Sequence, residues 1–131
     1  MSELKPGLTG TASLTVADQH TANSVGSGTA GVLATPVMIN LIEAAALNAI
    51  EAHLPETSQS LGIYLEVSHV AATPVGMKAY ATAELVKVDG RHLEFIVNAR
   101  DEIEEIGAGS HHRIVVNVEK FGNRVAGKLK S

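Results

Sequence analysis

Three side chains in this sequence have types that could do acid–base or nucleophilic chemistry if the fold brings them together: Glu43, His69 and Thr35. Glu43 stands in an apolar run, with Ile39, Leu41 and Ile42 before it and Ala44-Ala45-Ala46-Leu47 after it. A carboxylate with so little polar company is a candidate nucleophile or general base. The plainer alternative is a narrow solvent stripe shared with Asn40 and Glu51, which suits an ordinary amphipathic helix better than this one. His69 falls in strand phase with Ile63, Leu65 and Val67, the side that must face the helix, where it could serve in acid–base chemistry. A lone inward histidine is otherwise a satisfied core residue. Thr35 is fully explained as a helix N-cap. Eight residues of helix span ~12 Å, so Thr35 and Glu43 of one chain are too far apart for a hydrogen bond. If both serve one site, Thr35 meets Glu43 of a second copy across antiparallel helices.

A fourth feature is the stretch Ile106-Gly107-Ala108-Gly109-Ser110-His111-His112-Arg113. Gly107, Gly109, His111 and Arg113 share one strand phase, which leaves two bare positions beside an imidazole and a guanidinium. Glycine in a strand marks where another backbone or a ligand comes close, and this face suits an extended ligand arm ending in phosphate. A bulge with a solvated basic face accounts for the same pattern. His111 and His112 point to opposite faces, so they do not form a two-His metal site, and no other cluster shows metal-ligand spacing.

One long helix must position most of these groups. Thr35 reads as its N-cap, Pro36 suits the first helical position, and Leu54-Pro55 marks the stop. Apolar residues occupy almost every side between, which predicts a buried helix whose small alanines let something pack closely. Ahead of it, residues 8–17 alternate as a half-buried strand with Ala12, Leu14 and Val16 in phase. A polar loop follows over 18–28, then a short strand over 29–33. Residues 55–60 form a polar turn, and from Gly62 onward the pattern has period two. The strands expected there begin with that of His69. A second covers residues 76–88, with Ala79, Ala81, Ala83 and Leu85 on one side. The tight turn Asp89-Gly90 leads to a third, carrying Leu93, Phe95, Val97 and Ala99. After a turn near Asp101-Glu102, a last strand runs over residues 105–118, and a short helix is expected from Glu119. One buried helix followed by an antiparallel meander closes its core most simply as an α+β domain, with the curved sheet wrapped around the helix. Exposed strand edges in such a sheet predict pairing with a second copy, a homodimer.

Composition narrows the functional classes. The 131 residues suffice for a single domain with its own core, and cysteine is absent, which removes disulfides, thiolate nucleophiles and cysteine zinc sites. The N-terminal residues lack the apolar segment of a signal peptide, and no apolar run approaches the ~18 residues of a membrane span. A cytoplasmic protein that neither crosses a membrane nor is exported is the expectation. A net charge of −4 with two Phe and two Tyr gives no footprint for nucleic acid.

With these residues assembled, the chain resembles the fluoroacetyl-CoA thioesterase-like family of hotdog-fold proteins. The matching text is Val25-Gly26-Ser27-Gly28, Ala34-Thr35-Pro36-Val37-Met38-Ile39 with Glu43, Glu66-Val67-Ser68-His69, Ala99-Arg100-Asp101, and residues 106–113. The family's catalytic Thr, Glu and His match Thr35, Glu43 and His69, and its glycine at the start of the His-bearing strand matches Gly62. The resemblance implies a dimeric hotdog with its sites at the subunit interface. It implies acyl-CoA as substrate, with hydrolysis to a free acid and CoA, and it calls for no separate cofactor. Glu43 would attack the thioester carbonyl or activate water, Thr35 would help position it, His69 would be the acid–base partner, and a backbone N–H near Gly62 would polarise the carbonyl. The namesake enzyme closes its pocket with aromatic residues ahead of the helix. This chain has Val25, Gly26 and Thr29 there and no Phe before Phe95, so a short or medium acyl group is expected. Whether dimers pair into tetramers is not decided by these residues.

Other functions on the same frame leave different marks. A non-catalytic acyl-CoA or small-ligand binding protein would need Gly107, Gly109 and Arg113 but neither Glu43 nor His69. An acyl-CoA hydratase would want an Asp and His pair near the helix start, where this chain has Thr-Pro. A purely structural dimer would carry a buried Glu43 as an uncompensated cost.

Overall fold

A computed structural model describes residues 4–130. Five antiparallel strands form one sheet: β1 (Thr9–Thr15), β2 (Ser58–Val67), β3 (Lys78–Asp89), β4 (His92–Asp101) and β5 (Glu105–Asn117). Their order across the sheet is β1-β3-β4-β5-β2. Three helices accompany them, α1 (Ala22–Val25), α2 (Thr35–Ile50) and α3 (Val118–Gly127). The α+β expectation of a sheet curved about one long helix holds. No helix among the described residues is long and apolar enough to cross a membrane.

Alternation along β3 and β4 builds the floor on which α2 lies. Ala79, Ala81, Ala83 and Leu85 are buried along β3, and Leu93, Phe95, Val97 and Ala99 along β4. They meet Met38, Leu41, Ile42, Ala45, Ala46, Ala49 and Ile50 of α2 in one core. The alanines let the helix come very near. At Gly10 of β1 a Cβ would lie 2.2 Å from the Ala45 carbonyl oxygen and 2.4 Å from the Ala49 amide nitrogen, so only glycine fits beneath the helix. Gly90 turns the β3–β4 hairpin with φ 60°, as the Asp-Gly pair anticipates. Register shifts between Leu85 and Lys87, and between Gly62 and Tyr64, bend the sheet further.

Five local expectations are corrected. Residues 29–33 form no strand; Val32 and Leu33 make single bridges to Pro74 and Thr21. The polar loop over 18–28 holds a 3₁₀ turn and the short α1, capped by Thr21, whose hydroxyl accepts from the Ser24 amide. The N-cap of α2 is Ala34, and Thr35 is already helical, so the Thr35 hydroxyl does no capping. Regular α-helix ends at Ile50 and runs on as a 3₁₀ turn to His53, after which Leu54 becomes extended ahead of Pro55. Finally, α2 is buried on one side only. Asn40 and Glu51 are exposed and Ile39, Glu43 and Leu47 half-exposed, because the sheet covers the helix from β1, β3 and β4 and leaves its far side open.

Candidate active site

Two hollows flank the open side of α2, and they share no lining residue. The first, about 310 Å³, lies at the helix start, with Thr35, His69, Ala71 and Val32 among its walls. The Thr35 Oγ1 is 2.7 Å from His69 Nδ1. Beyond β2 the chain stays in register with β5 through the Ser68 and Val70 amides, and this holds His69 against the helix. Burial lowers the pKa of the His69 imidazole below its ordinary 6.5, and the neighbouring Ala71 backbone offsets only part of that. The ring is therefore neutral at pH 7. Its Nε2 is buried with no partner in hydrogen-bond geometry.

The second hollow, about 270 Å³, is lined by Ile39, Glu43, Gly62, Ile63, Tyr64, Leu65 and His111. Glu43 Oε2 lies 3.4 Å from Arg113 Nη1. Arg113 is buried, 5% exposed, and each guanidinium nitrogen is engaged: Nε donates to Ser60 Oγ at 2.8 Å, Nη2 to the Ser60 carbonyl at 3.0 Å, and Nη1 also to His111 Nε2 at 3.1 Å. That last contact fixes the His111 tautomer. Guanidinium only donates, so Nε2 accepts, and Nδ1–H donates to the Tyr64 carbonyl at 2.9 Å. Burial lowers the pKa of His111, with Arg113 adding to the effect, so this ring is neutral too. Burial also lowers the pKa of Arg113, against the opposing pull of Glu43, though a guanidinium remains charged. A Cβ on Gly62 would sit 2.6 Å from Glu43 Oε2 and 3.1 Å from His111 Cε1. The bulge at Gly62 thus makes room for the carboxylate.

The site expectations sort accordingly. Thr35 and His69 meet; Glu43, Gly62, His111 and Arg113 meet; but Glu43 and His69 do not converge within one chain. Glu43 is not buried either, since its side chain is 41% exposed on the open face of α2. Gly107 and Gly109 are bare for a neighbouring strand rather than a ligand: a Cβ there would lie 2.4 Å from the Ser68 carbonyl oxygen and 1.9 Å from that of Glu66. Arg113 faces inward onto Ser60, His111 and Glu43, which take four of its five N–H donors and turn it away from an external phosphate. Ser60, which anchors this guanidinium twice, was not singled out from the sequence; its in-phase position two residues before Gly62 was the available signal. A larger hollow, about 770 Å³, lies elsewhere, on the outer face of β1, β3 and β4, and holds none of these side chains.

Comparison with known proteins bears on the family and the fold. A family model described as fluoroacetyl-CoA-specific thioesterase matches residues 16–119. The fluoroacetyl-CoA thioesterase of Streptantibioticus cattleyicolor is 43% identical over 97 residues, 74% of this chain and 70% of that one. A solved structure of the fluoroacetyl-CoA thioesterase FlK superposes with a TM-score of 0.91 at 34% identity, covering 97% of this chain and 98% of that one. A hot-dog-like protein from Thermanaerovibrio acidaminovorans shares the fold, with a TM-score of 0.86 at 21% identity over 95% and 93% of the two chains.

Proposed function

The chain belongs to the fluoroacetyl-CoA-specific thioesterase family, and from that membership and its geometry we propose that it hydrolyses a short or medium acyl-CoA to the free acid and CoA. Thioester hydrolysis is the family's chemistry; the acyl length and the roles of individual residues are our assignment. The observation that carries it is the division of reactive groups between two hollows on one helix, Thr35 with His69 in one and Glu43 over Gly62 in the other. They stand ~12 Å apart along α2, too far to act on one carbonyl.

A second copy laid antiparallel along α2 would bring its Glu43 to Thr35 and His69. Two features support such a dimer. The open side of α2 carries Ile39 and Leu47 beside Glu43, and β2 is a sheet edge with Ile63 and Tyr64 49% and 45% exposed. In this arrangement Glu43 delivers an electron pair to the thioester carbonyl, directly or by taking a proton from a water that adds there. A backbone N–H at the Gly62 bulge and the Thr35 hydroxyl steady the carbonyl oxygen. His69, neutral at rest, receives the proton that the water gives up and passes it to the sulfur as the C–S bond breaks. On the direct route water then hydrolyses the anhydride on Glu43, and its proton reaches the CoA thiolate through the same ring. The hydroxyl of water ends on the acyl carbon and its proton on CoA. Arg113 and His111 hold Glu43 in place and stay out of the CoA arm. Such an enzyme works in the cytoplasm on dissolved substrate and needs no further cofactor.

The deciding experiment is CoA release from a panel of acyl-CoAs by the wild type and by Glu43→Ala, with molar mass followed by light scattering. Turnover that Glu43→Ala abolishes, in a dimer, supports the assignment. No turnover on any member, with tight acyl-CoA binding by calorimetry, would make it a binding protein instead.

A further inference from the structure

His92 and Glu94 are two residues apart on β4, so both project from one face of the sheet. His112 pairs with Glu94 across the β4–β5 ladder, and its neighbour His111 points the other way, toward Glu43. The register therefore gathers two imidazoles and a carboxylate on the outer face, on the side of the sheet away from α2. His92 Nε2 lies 3.2 Å from His112 Nδ1. Glu94 reaches both rings, with Oε2 at 4.0 Å from His92 Nε2 and Oε1 at 3.7 Å from His112 Nε2. One ligand atom from each residue lies within 4.8 Å of the other two.

We propose that His92, Glu94 and His112 bind one divalent transition ion of the zinc class. Two donors at about 2.0–2.1 Å from a tetrahedral ion stand about 3.3–3.4 Å apart, which is close to the span the two imidazole nitrogens already have. Two nitrogens and one carboxylate oxygen are a donor set for zinc, cobalt or nickel rather than for calcium or magnesium. The His112 ring is braced by Tyr64, centroids 4.7 Å apart, so one ligand is held in place by packing on the β2 side. All three side chains are partly open, at 40%, 31% and 23% exposure for His92, Glu94 and His112, so an ion can enter and a water can complete its coordination. One group competes. Lys87 Nζ lies 3.7 Å from Glu94 Oε2 and must yield for that oxygen to ligate. The sequence conceals this site, because His92 and His112 are twenty positions apart and only the strand register joins them.

The test is calorimetric titration of tag-free protein with Zn²⁺, alongside cobalt binding followed by its visible absorption. One ion per chain is expected, with His92→Ala and His112→Ala each weakening binding by about tenfold or more. Lys87→Ala should tighten it, since Glu94 is freed, and that variant loses only an exposed ion pair and so keeps its fold. Cobalt should show the strong bands of a low-coordinate site in the wild type and not in His112→Ala. No saturable zinc binding, or binding that both histidine variants leave unchanged, would overturn the proposal. The thioesterase assignment stands apart from either result, because Glu43, Thr35 and His69 lie on the opposite side of the sheet.

Discussion

Thr35 occupies the first turn of α2, yet its hydroxyl lies 2.7 Å from His69 Nδ1 and caps nothing; the N-cap is Ala34. A capping threonine and a histidine-bound threonine respond differently to truncation. Loss of a cap costs about 1 kcal/mol of stability. Thr35→Ala should therefore leave urea unfolding nearly unchanged while kcat falls by about tenfold or more, as expected of a positioned hydroxyl. Thr35→Ser, which keeps the oxygen, should restore most of the rate. A full cap-sized loss of stability with kcat intact would return Thr35 to a structural role.

Gly62 tests the Glu43 hollow in the same way. The missing Cβ would stand 2.6 Å from Glu43 Oε2, and that oxygen ends a flexible side chain which can move aside. Gly62→Ala should thus fold with a melting temperature close to wild type and lose about 10- to 100-fold in kcat, because a displacement near 1 Å at a reacting group costs that much. Gly10→Ala is the informative contrast. There the obstacle is the α2 backbone at Ala45 and Ala49, which cannot give way, so stability should suffer by about 1–3 kcal/mol. Melting curves and steady-state rates for the pair separate site from scaffold.

Arg113 carries a different cost. It is buried, and its three nitrogens serve Ser60, His111 and Glu43. Arg113→Lys keeps the charge but cannot reproduce the fork, so the Ser60 contacts are lost and a buried ammonium lacks partners. Chemical denaturation should report a loss of about 1–3 kcal/mol. Turnover should fall with it, because the same group holds Glu43. If Arg113 instead bound the phosphates of CoA, the substitution would raise KM and leave both stability and kcat alone.

The sequence carried the scaffold because alternation is a local signal. The buried alanines of β3 and the Leu93–Ala99 face of β4 are legible from period two, and Asp89-Gly90 announces their hairpin. Glu43 stood out because its neighbours are apolar, although one-sided coverage of α2 leaves it half-exposed. What stayed hidden depends on register. Nothing local says that Thr35 will prefer His69, thirty-four residues away, to its own helix amides. Gly107 and Gly109 look like room for a ligand until β2 is seen to lie across them. The basic character of Arg113 suggested phosphate, and only Ser60 and Glu43, brought in by β2 and α2, show that it turns inward.

Acid should weaken the fold before most carboxylates titrate. Burial lowers the pKa of His69 and of His111 below the ordinary 6.5, so the unfolded chain binds more protons than the folded one between the two values. Stability then rises with pH through that window: the contribution is complete above about pH 6.5 and is lost as pH falls through the folded values. Asp101 acts lower. Burial disfavours its charged form, but the amides of Ile103 and Glu104 and the Thr73 hydroxyl outweigh that and hold its carboxyl below 3.8, so its contribution fades only in stronger acid. The melting temperature should be flat from pH 8 to about 7 and decline below about 6.5. The same decline should be shallower in His111→Asn, which puts a smaller amide that does not titrate at that position, and ring resonances of His69 and His111 followed by NMR should titrate below 6.5. A melting temperature that held or rose on acidification through this range would mean that the fold accepts both rings charged, contrary to the burial of His69 and the Arg113–His111 geometry.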